Sequence, residues 1–212
     1  MCESTYFLIL LNVLVYLFSL IDSSLINYFF ASKLPIVKLD QYYRLVTYSF
    51  FHSPFDIFHL LFNMITLFWI GPIVEKYFGK VKYVFIYFLS AISGALLTIG
   101  LNMNLRFATV GASSAIFGLL GAIIFFAYNY KDRITASLLK QMTVIVIINL
   151  IFGFFQPNVD NFGHLGGLLG GIVTAMLLGT NKKRNIIEML SSLIVFIGLY
   201  LILIYLGLFM VK

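Results

Sequence analysis

Charge is what this sequence has least of. Only 10% of its 212 residues are charged. The acids Glu3, Asp22, Asp40, Asp56, Glu75, Asp132, Asp160 and Glu188 all fall between or at the ends of long apolar runs. A soluble domain carries about 25% charged residues, and a single core of this size cannot hide a chain that is 61% hydrophobic with a mean hydropathy of +1.02. An ordinary soluble fold is therefore excluded, and a bilayer accounts for where the acids sit. Cysteine is almost absent. The lone Cys2 excludes an internal disulfide framework, and as a thiol nucleophile it has no fixed partner. The net charge of +6 comes from basic residues scattered over short loops, not gathered in a stripe, so no nucleic acid is expected as a partner. No soluble second domain is visible.

What is present is apolar sequence in runs of membrane length. Seven spans are predicted, at roughly 5–22, 57–75, 81–101, 108–129, 135–155, 162–179 and 186–210. The first lacks a basic stretch before it and a small-x-small cleavage site before Asp22, so it reads as a helix and not as a signal peptide. The fifth is the weakest, because its uninterrupted apolar run covers only 142–155 and Pro157 follows; it is expected to be tilted or loosely packed. The fold class is all-α, a polytopic membrane helical bundle. Between the first two spans, residues 23–56 are too aromatic for a solvated linker (Tyr28, Phe29, Phe30, Tyr42, Tyr43, Phe50, Phe51) and are expected to lie as amphipathic pieces in the membrane interface. Within that loop, Arg44 is a candidate for headgroup phosphates, and His52 reads as structural or solvated.

The basic residues are biased toward alternate loops. Lys76, Lys80 and Lys82 follow span two, Lys131, Arg133 and Lys140 follow span four, and Lys182, Lys183 and Arg184 follow span six. The short loops on the other side hold only Arg106. The positive-inside rule places the basic loops and the N-terminus in the cytoplasm, with the long first loop and the C-terminus outside.

Polar side chains within spans are costly and are functional candidates. His59 and Asn63 are four residues apart near the start of span two and share one helix face. Span four opens with Gly111-Ala112-Ser113-Ser114 and span six with Gly163-His164-Leu165-Gly166-Gly167. In the orientation above, all three helices enter from outside, so Ser113, His164, His59 and Asn63 lie at one depth. Small residues repeat along both helices, at Gly111, Ser114, Gly118 and Gly121 in span four and at Gly163, Gly167 and Gly171 in span six. Such faces let two backbones approach closely, which would bring a serine to a histidine able to act as its base. The only acid near this depth is Asp160, expected outside the helix, so the pattern favours a Ser–His dyad over a triad. Developing charge on the carbonyl oxygen would meet Asn63, His59 and the Ser113 backbone N–H. Each residue alone has an ordinary explanation: serine bonds its own helix backbone, asparagine joins helices, and histidine also serves proton relays. The conjunction of four such groups carries the chemistry.

These residues resemble the rhomboid intramembrane serine proteases. The resemblance rests on His59-x-x-x-Asn63, Gly111-x-Ser113 and His164-x-x-Gly167 in that order, with Tyr43-Arg44 in the first loop and Gly71-x-x-x-Glu75 closing span two. It covers roughly residues 5–180. It implies a six-helix catalytic core over 1–180, including the extracytoplasmic loop 23–56, followed by a basic connector and an added seventh helix over 181–212, with Lys182-Lys183-Arg184 as the hinge. Ser113 would be the nucleophile and His164 the base, with His59, Asn63 and the Ser113 N–H at the oxyanion site and Gly111, Phe117 and Gly167 in support. Spans two and five and residues 154–161 would form a lateral gate and cap, with Phe62 facing the gate. Glu75 would bind backbone amides. Substrates would be transmembrane segments of membrane proteins drawn from the bilayer, with no cofactor and no metal. The chain departs from the family at Ser114, where glycine is usual. A relative that binds helices without cutting them, and a small transporter using the two histidines, are the competing functions; the spans lack the acids and broken helices that transport would need.

Overall fold

The computed structural model describes residues 2–102, 104, 107–130, 133–156, 159–180 and 185–210. Its long helices are α1 (Glu3–Ile21), α2 (Ile57–Phe78), α3 (Lys80–Leu101), α4 (Ser113–Tyr130), α5 (Arg133–Phe154), α6 (Asn161–Leu178) and α7 (Ile186–Ile204). Six are long and apolar enough to cross a membrane, and α4 is the shorter apolar helix among them. The chain is thus a polytopic helical bundle. Sequence expectations that lie outside the described residues are the hinge at Lys182-Lys183-Arg184, Lys131, Asp132, Arg106, Pro157 and the middle of the cap over 154–161.

The fourth span begins five residues later than its hydropathy suggested. Ala108–Thr109 leaves the helix to pair antiparallel with Ala31–Ser32 of the first loop, a two-stranded ribbon in an otherwise helical chain. Gly111 then turns the chain with φ +115°, a conformation that side chains rarely adopt.

The most extensive helix contacts are α3 with α6 and α4 with α6, followed by α3 with α4. Small residues make this possible. On one side of α6, Gly166 and Gly170 rest on Ser93 of α3; a β-carbon on Gly166 would lie 2.6 Å from the Ser93 carbonyl oxygen. On the other side, Gly167 meets the Ser114 backbone and Gly171 the Gly118 backbone of α4. Gly118 also faces Ser90 of α3. The three helices form one close-packed wedge, held by dispersion at short range where lipid offers no hydrophobic drive.

Around the wedge the packing loosens. In α3, 61% of the apolar window is buried, against 17% in α5. The α2 helix is tied to α1 by Glu75, whose carboxylate accepts from the backbone N–H groups of Ser4 and Thr5, both at 3.0 Å, and from the Thr5 hydroxyl at 2.9 Å. It caps a helix N-terminus whose donors would otherwise be unmet. The α7 helix starts on a capping box between Asn185 and Glu188. It docks on α3, where the Tyr200 hydroxyl donates to the Leu89 carbonyl at 2.9 Å and accepts from Ser93.

The first loop is packed on its inner side, while Tyr28, Leu34, Leu39, Tyr42 and Tyr43 are exposed on its outer side. Ala31, Ile36, Tyr48, Ser49, Phe51 and His52 are all buried. Arg44 is buried too and does not reach for headgroups: Nη1 donates to the carbonyls of Asn27 and Phe30, both at 3.0 Å, and Nε to Gln41 at 2.7 Å. A guanidinium offers five donors, enough to hold three stretches of one loop together. Trp69 is exposed on α2 and faces away from the bundle.

Candidate active site

Three helix N-termini converge at the end of the bundle that carries the first loop. Asp56 caps α2 by accepting from the N–H groups of Phe58 and His59 at 3.1 and 3.2 Å, which sets the start of the face bearing His59 and Asn63. Asn63 is buried and gives one amide hydrogen to the His59 carbonyl at 2.8 Å, leaving its second donor for another acceptor.

The turn before α4 presses on that face. A β-carbon on Gly111 would lie 2.7 Å from His59 Nε2 and 3.9 Å from Asn63 Nδ2. Glycine is needed at this point for its positive φ and for the close approach. The Gly111 N–H donates to the Tyr48 carbonyl at 3.0 Å, and the Tyr48 hydroxyl donates to the Ala91 carbonyl at 2.8 Å. Tyr48 is fully buried and braces the turn against α3 from below.

Ser113 and Ser114 are adjacent but have opposite surroundings. Ser113 is half-buried at the first turn of α4. Ser114 is 2% exposed, walled in by Gly94 of α3 and Gly163 of α6. A nucleophile must be reachable, and only Ser113 is.

One turn beyond Ser113, the Phe117 ring lies flat on His164, with centroids 4.2 Å apart and planes 9° from parallel. The His164 ring is nearly buried, and its Nδ1 has no hydrogen-bond partner. No hydrogen bond joins Ser113 to His164, a spacing common in free enzymes, where catalytic hydrogen bonds tighten only with substrate bound. Asp160 stands at the start of α6 as its cap. Its carboxylate accepts from the Gly163 N–H at 2.8 Å and the Thr98 hydroxyl at 2.6 Å, and its carbonyl accepts from the His164 N–H at 3.0 Å. It holds the histidine through the backbone and does not back the ring.

The structure therefore groups His59 and Asn63 with Gly111 and His164 with Phe117, and along the chain Ser113 stands two residues after Gly111 and one turn before Phe117. Gly167 lies under the Ser114 backbone. Phe62 points away from these groups, exposed on α2 and stacked on Phe58. Several contributors were not legible in the sequence: Tyr48, Thr98, and the Ser90, Ser93 and Gly94 face of α3. Tyr48 sits among many loop aromatics, and only the serine–glycine spacing in α3 offered a signal. His52 is fully buried, which excludes a solvated side chain.

A reachable serine, a ring-stacked histidine and paired polar donors thus gather at one end of a membrane bundle. Residues 39–181 match the rhomboid domain, and the chain belongs to the rhomboid family of intramembrane serine proteases. It is 32% identical over 209 residues to the rhomboid protease GluP of Bacillus subtilis, covering 96% of this chain and 40% of GluP. It is 32% identical over 169 residues to Rhomboid-like protease 1 of Toxoplasma gondii, covering 77% of this chain and 55% of that protein. With RHOMBOID-like protein 4 of Arabidopsis thaliana the identity is 35% over 148 residues, 68% of this chain and 36% of the relative. The chain thus spans about a third to a half of the length of these relatives.

Proposed function

We propose that this chain is an endopeptidase that cuts transmembrane segments of membrane proteins near their extracytoplasmic ends, using a Ser113–His164 dyad. The observation that carries the proposal is the contrast at α4: a reachable Ser113 one turn from the Phe117–His164 stack, beside a Ser114 enclosed by helix backbones.

In this mechanism His164 takes the Ser113 proton as Oγ attacks the scissile carbonyl. The flat contact with Phe117 keeps the imidazole in plane while it changes charge. The negative charge that develops on the carbonyl oxygen is met by the free Asn63 amide hydrogen, a His59 nitrogen and the Ser113 N–H. His164 then protonates the departing amine, and water releases the acyl group by the reverse sequence. The Asp160 carboxylate is occupied by Thr98 and Gly163, which supports a dyad over a triad. Ser114 places its side chain toward Gly94 and Gly163, so the serine in place of the family's usual glycine leaves the oxyanion region open.

Substrates would come from the bilayer between α2 and α5, which share no extended interface, past Phe62. The basic loops would face the cytoplasm of a bacterial plasma membrane, with the site and the C-terminus outside. Residues 1–180 would act as the catalytic core, with 181–212 as connector and added helix.

The test is labelling by a fluorescent fluorophosphonate, together with cleavage of a single-span substrate by the purified chain. Ser113→Ala and His164→Ala should abolish both, while Ser114→Ala keeps labelling. Labelling that survives Ser113→Ala would move the nucleophile. Its absence from folded wild type would favour a relative that binds helices without cutting them.

A further inference from the structure

The chain has three histidines, and His52 is the one for which the mechanism above has no use. It lies between the turn at Tyr48–Phe50 and the start of α2. Its side chain is fully buried, and neither ring nitrogen makes a hydrogen bond of good geometry, with the Phe50 backbone only a weak partner. Burial, with His59 adding to it, pushes its pKa down to about 3, so the ring is neutral. Burying a polar ring with so little hydrogen bonding is unfavourable, and a leucine or phenylalanine would fill the space with no such penalty.

What His52 does touch is the site. Its ring meets His59 edge-to-face, with centroids 5.0 Å apart and planes at 63°. On its other side, His59 is pressed on Gly111, two residues before Ser113. His59 is thus held between a fixed backbone and a buried ring. The backbone carrying His52 is itself anchored: the neighbouring Phe51 stacks on Phe29 at 4.6 Å and 13°, and the Tyr48 carbonyl receives the Gly111 N–H. Without the ring behind it, His59 could swing away from the Gly111 turn into the space left open.

We propose that His52 is a positioning residue for peptide-bond cleavage, acting through His59 by ring contact. The proposal rests on the peptidase function above and on His59 as an oxyanion donor. Because neither His52 nitrogen makes a good hydrogen bond, the aromatic face does the positioning, and phenylalanine should substitute for it.

The test is a double-mutant cycle on the full chain in proteoliposomes, reading kcat, KM and thermal unfolding with a single-span substrate. His52→Ala should lower kcat about tenfold with KM unchanged, a loss typical of misplaced catalytic groups. His52→Phe should recover most of it. In a His59→Ala background, His52→Ala should cause no further loss. Should His52→Ala fail to fold, His52→Leu fills the volume without an aromatic face and takes its place in the cycle. Losses that multiply independently, a His52→Phe variant as impaired as His52→Ala, or no effect of His52→Ala on kcat would each overturn the proposal. A folded wild type that cleaves nothing would remove the peptidase function itself, and this inference with it; that outcome is distinguishable because every variant is then equally silent.

Discussion

Around α6, the helices α3 and α4 approach backbone to backbone at Gly166, Gly167, Gly170 and Gly171, where serines and glycines form the closest contacts. The α5 helix and the first half of α2 do the opposite: Ile148, Ile151, Phe152, Phe58 and Phe62 are all exposed, with their bulk turned away from the bundle. Both regions are apolar helix, yet one makes its closest contacts through small residues and the other turns much of its bulk outward. The difference fits the proposed function. Ser113 and His164 sit on the α4–α6 side, where small shifts in a catalytic pair would cost rate. On the same proposal a substrate helix enters on the other side, where strong packing would obstruct it.

The strongest challenge to this contrast is Gly171→Leu. The side chain would meet the Gly118 backbone, which cannot yield, so α4 and α6 must separate. Overpacking of this kind costs about 1–3 kcal/mol or more, and the displaced dyad should lose cleavage by roughly 100-fold. Thermal unfolding and a cleavage assay check both, and a stable, active variant would refute the close-packed wedge. A middling effect is expected for Asp160→Ala, which removes the α6 cap and its Thr98 contact. Loss of such a cap costs about 0.5–2 kcal/mol, read as a lowered unfolding temperature, with a partial loss of activity because His164 is only four residues on. Phe152→Ala on α5 should change stability by less than about 0.5 kcal/mol, as surface substitutions do, while altering the cleavage rate of a transmembrane substrate relative to a soluble peptide. A stability loss matching that of Gly171→Leu would mean α5 is packed after all.

The last effect expected is one of pH. The folded pKa of His52 lies near 3 and its ordinary value near 6.5. The unfolded chain therefore binds a proton that the folded chain refuses. The stability that depends on a neutral His52 is present in full above about pH 6.5 and falls as the pH drops toward 3. The difference in stability between wild type and His52→Phe should grow in the variant's favour over that window. A constant difference would mean that His52 is reached by water.

Hydropathy is a local property, and the seven helices were visible for that reason: each long apolar run must satisfy its own backbone in a membrane, and helix is the way one segment alone can do so. The same locality made His59, Asn63, Ser113 and His164 visible as polar residues near helix starts, and the glycine spacing made α4 and α6 visible as close partners. The strand at Ala108–Thr109 was hidden because its partner lies far away in the chain, at Ala31–Ser32. The distinction between Ser113 and Ser114 was equally hidden, since it depends on which hydroxyl Gly94 and Gly163 enclose. Arg44 read as a headgroup ligand and His52 as either structural or solvated, because the loop's aromatic content does not show which of its residues fold inward.

From the sequence alone, then, came the number of long helices and the polar groups near their starts, because the solvent acts on each segment separately. Only the tertiary structure decided which serine is reachable, that Asp160 caps a helix instead of backing the histidine, and that His52 stands behind His59. Those outcomes depend on contacts between segments far apart in the chain, and no local pattern of residues encodes which of two neighbouring side chains a distant helix will cover.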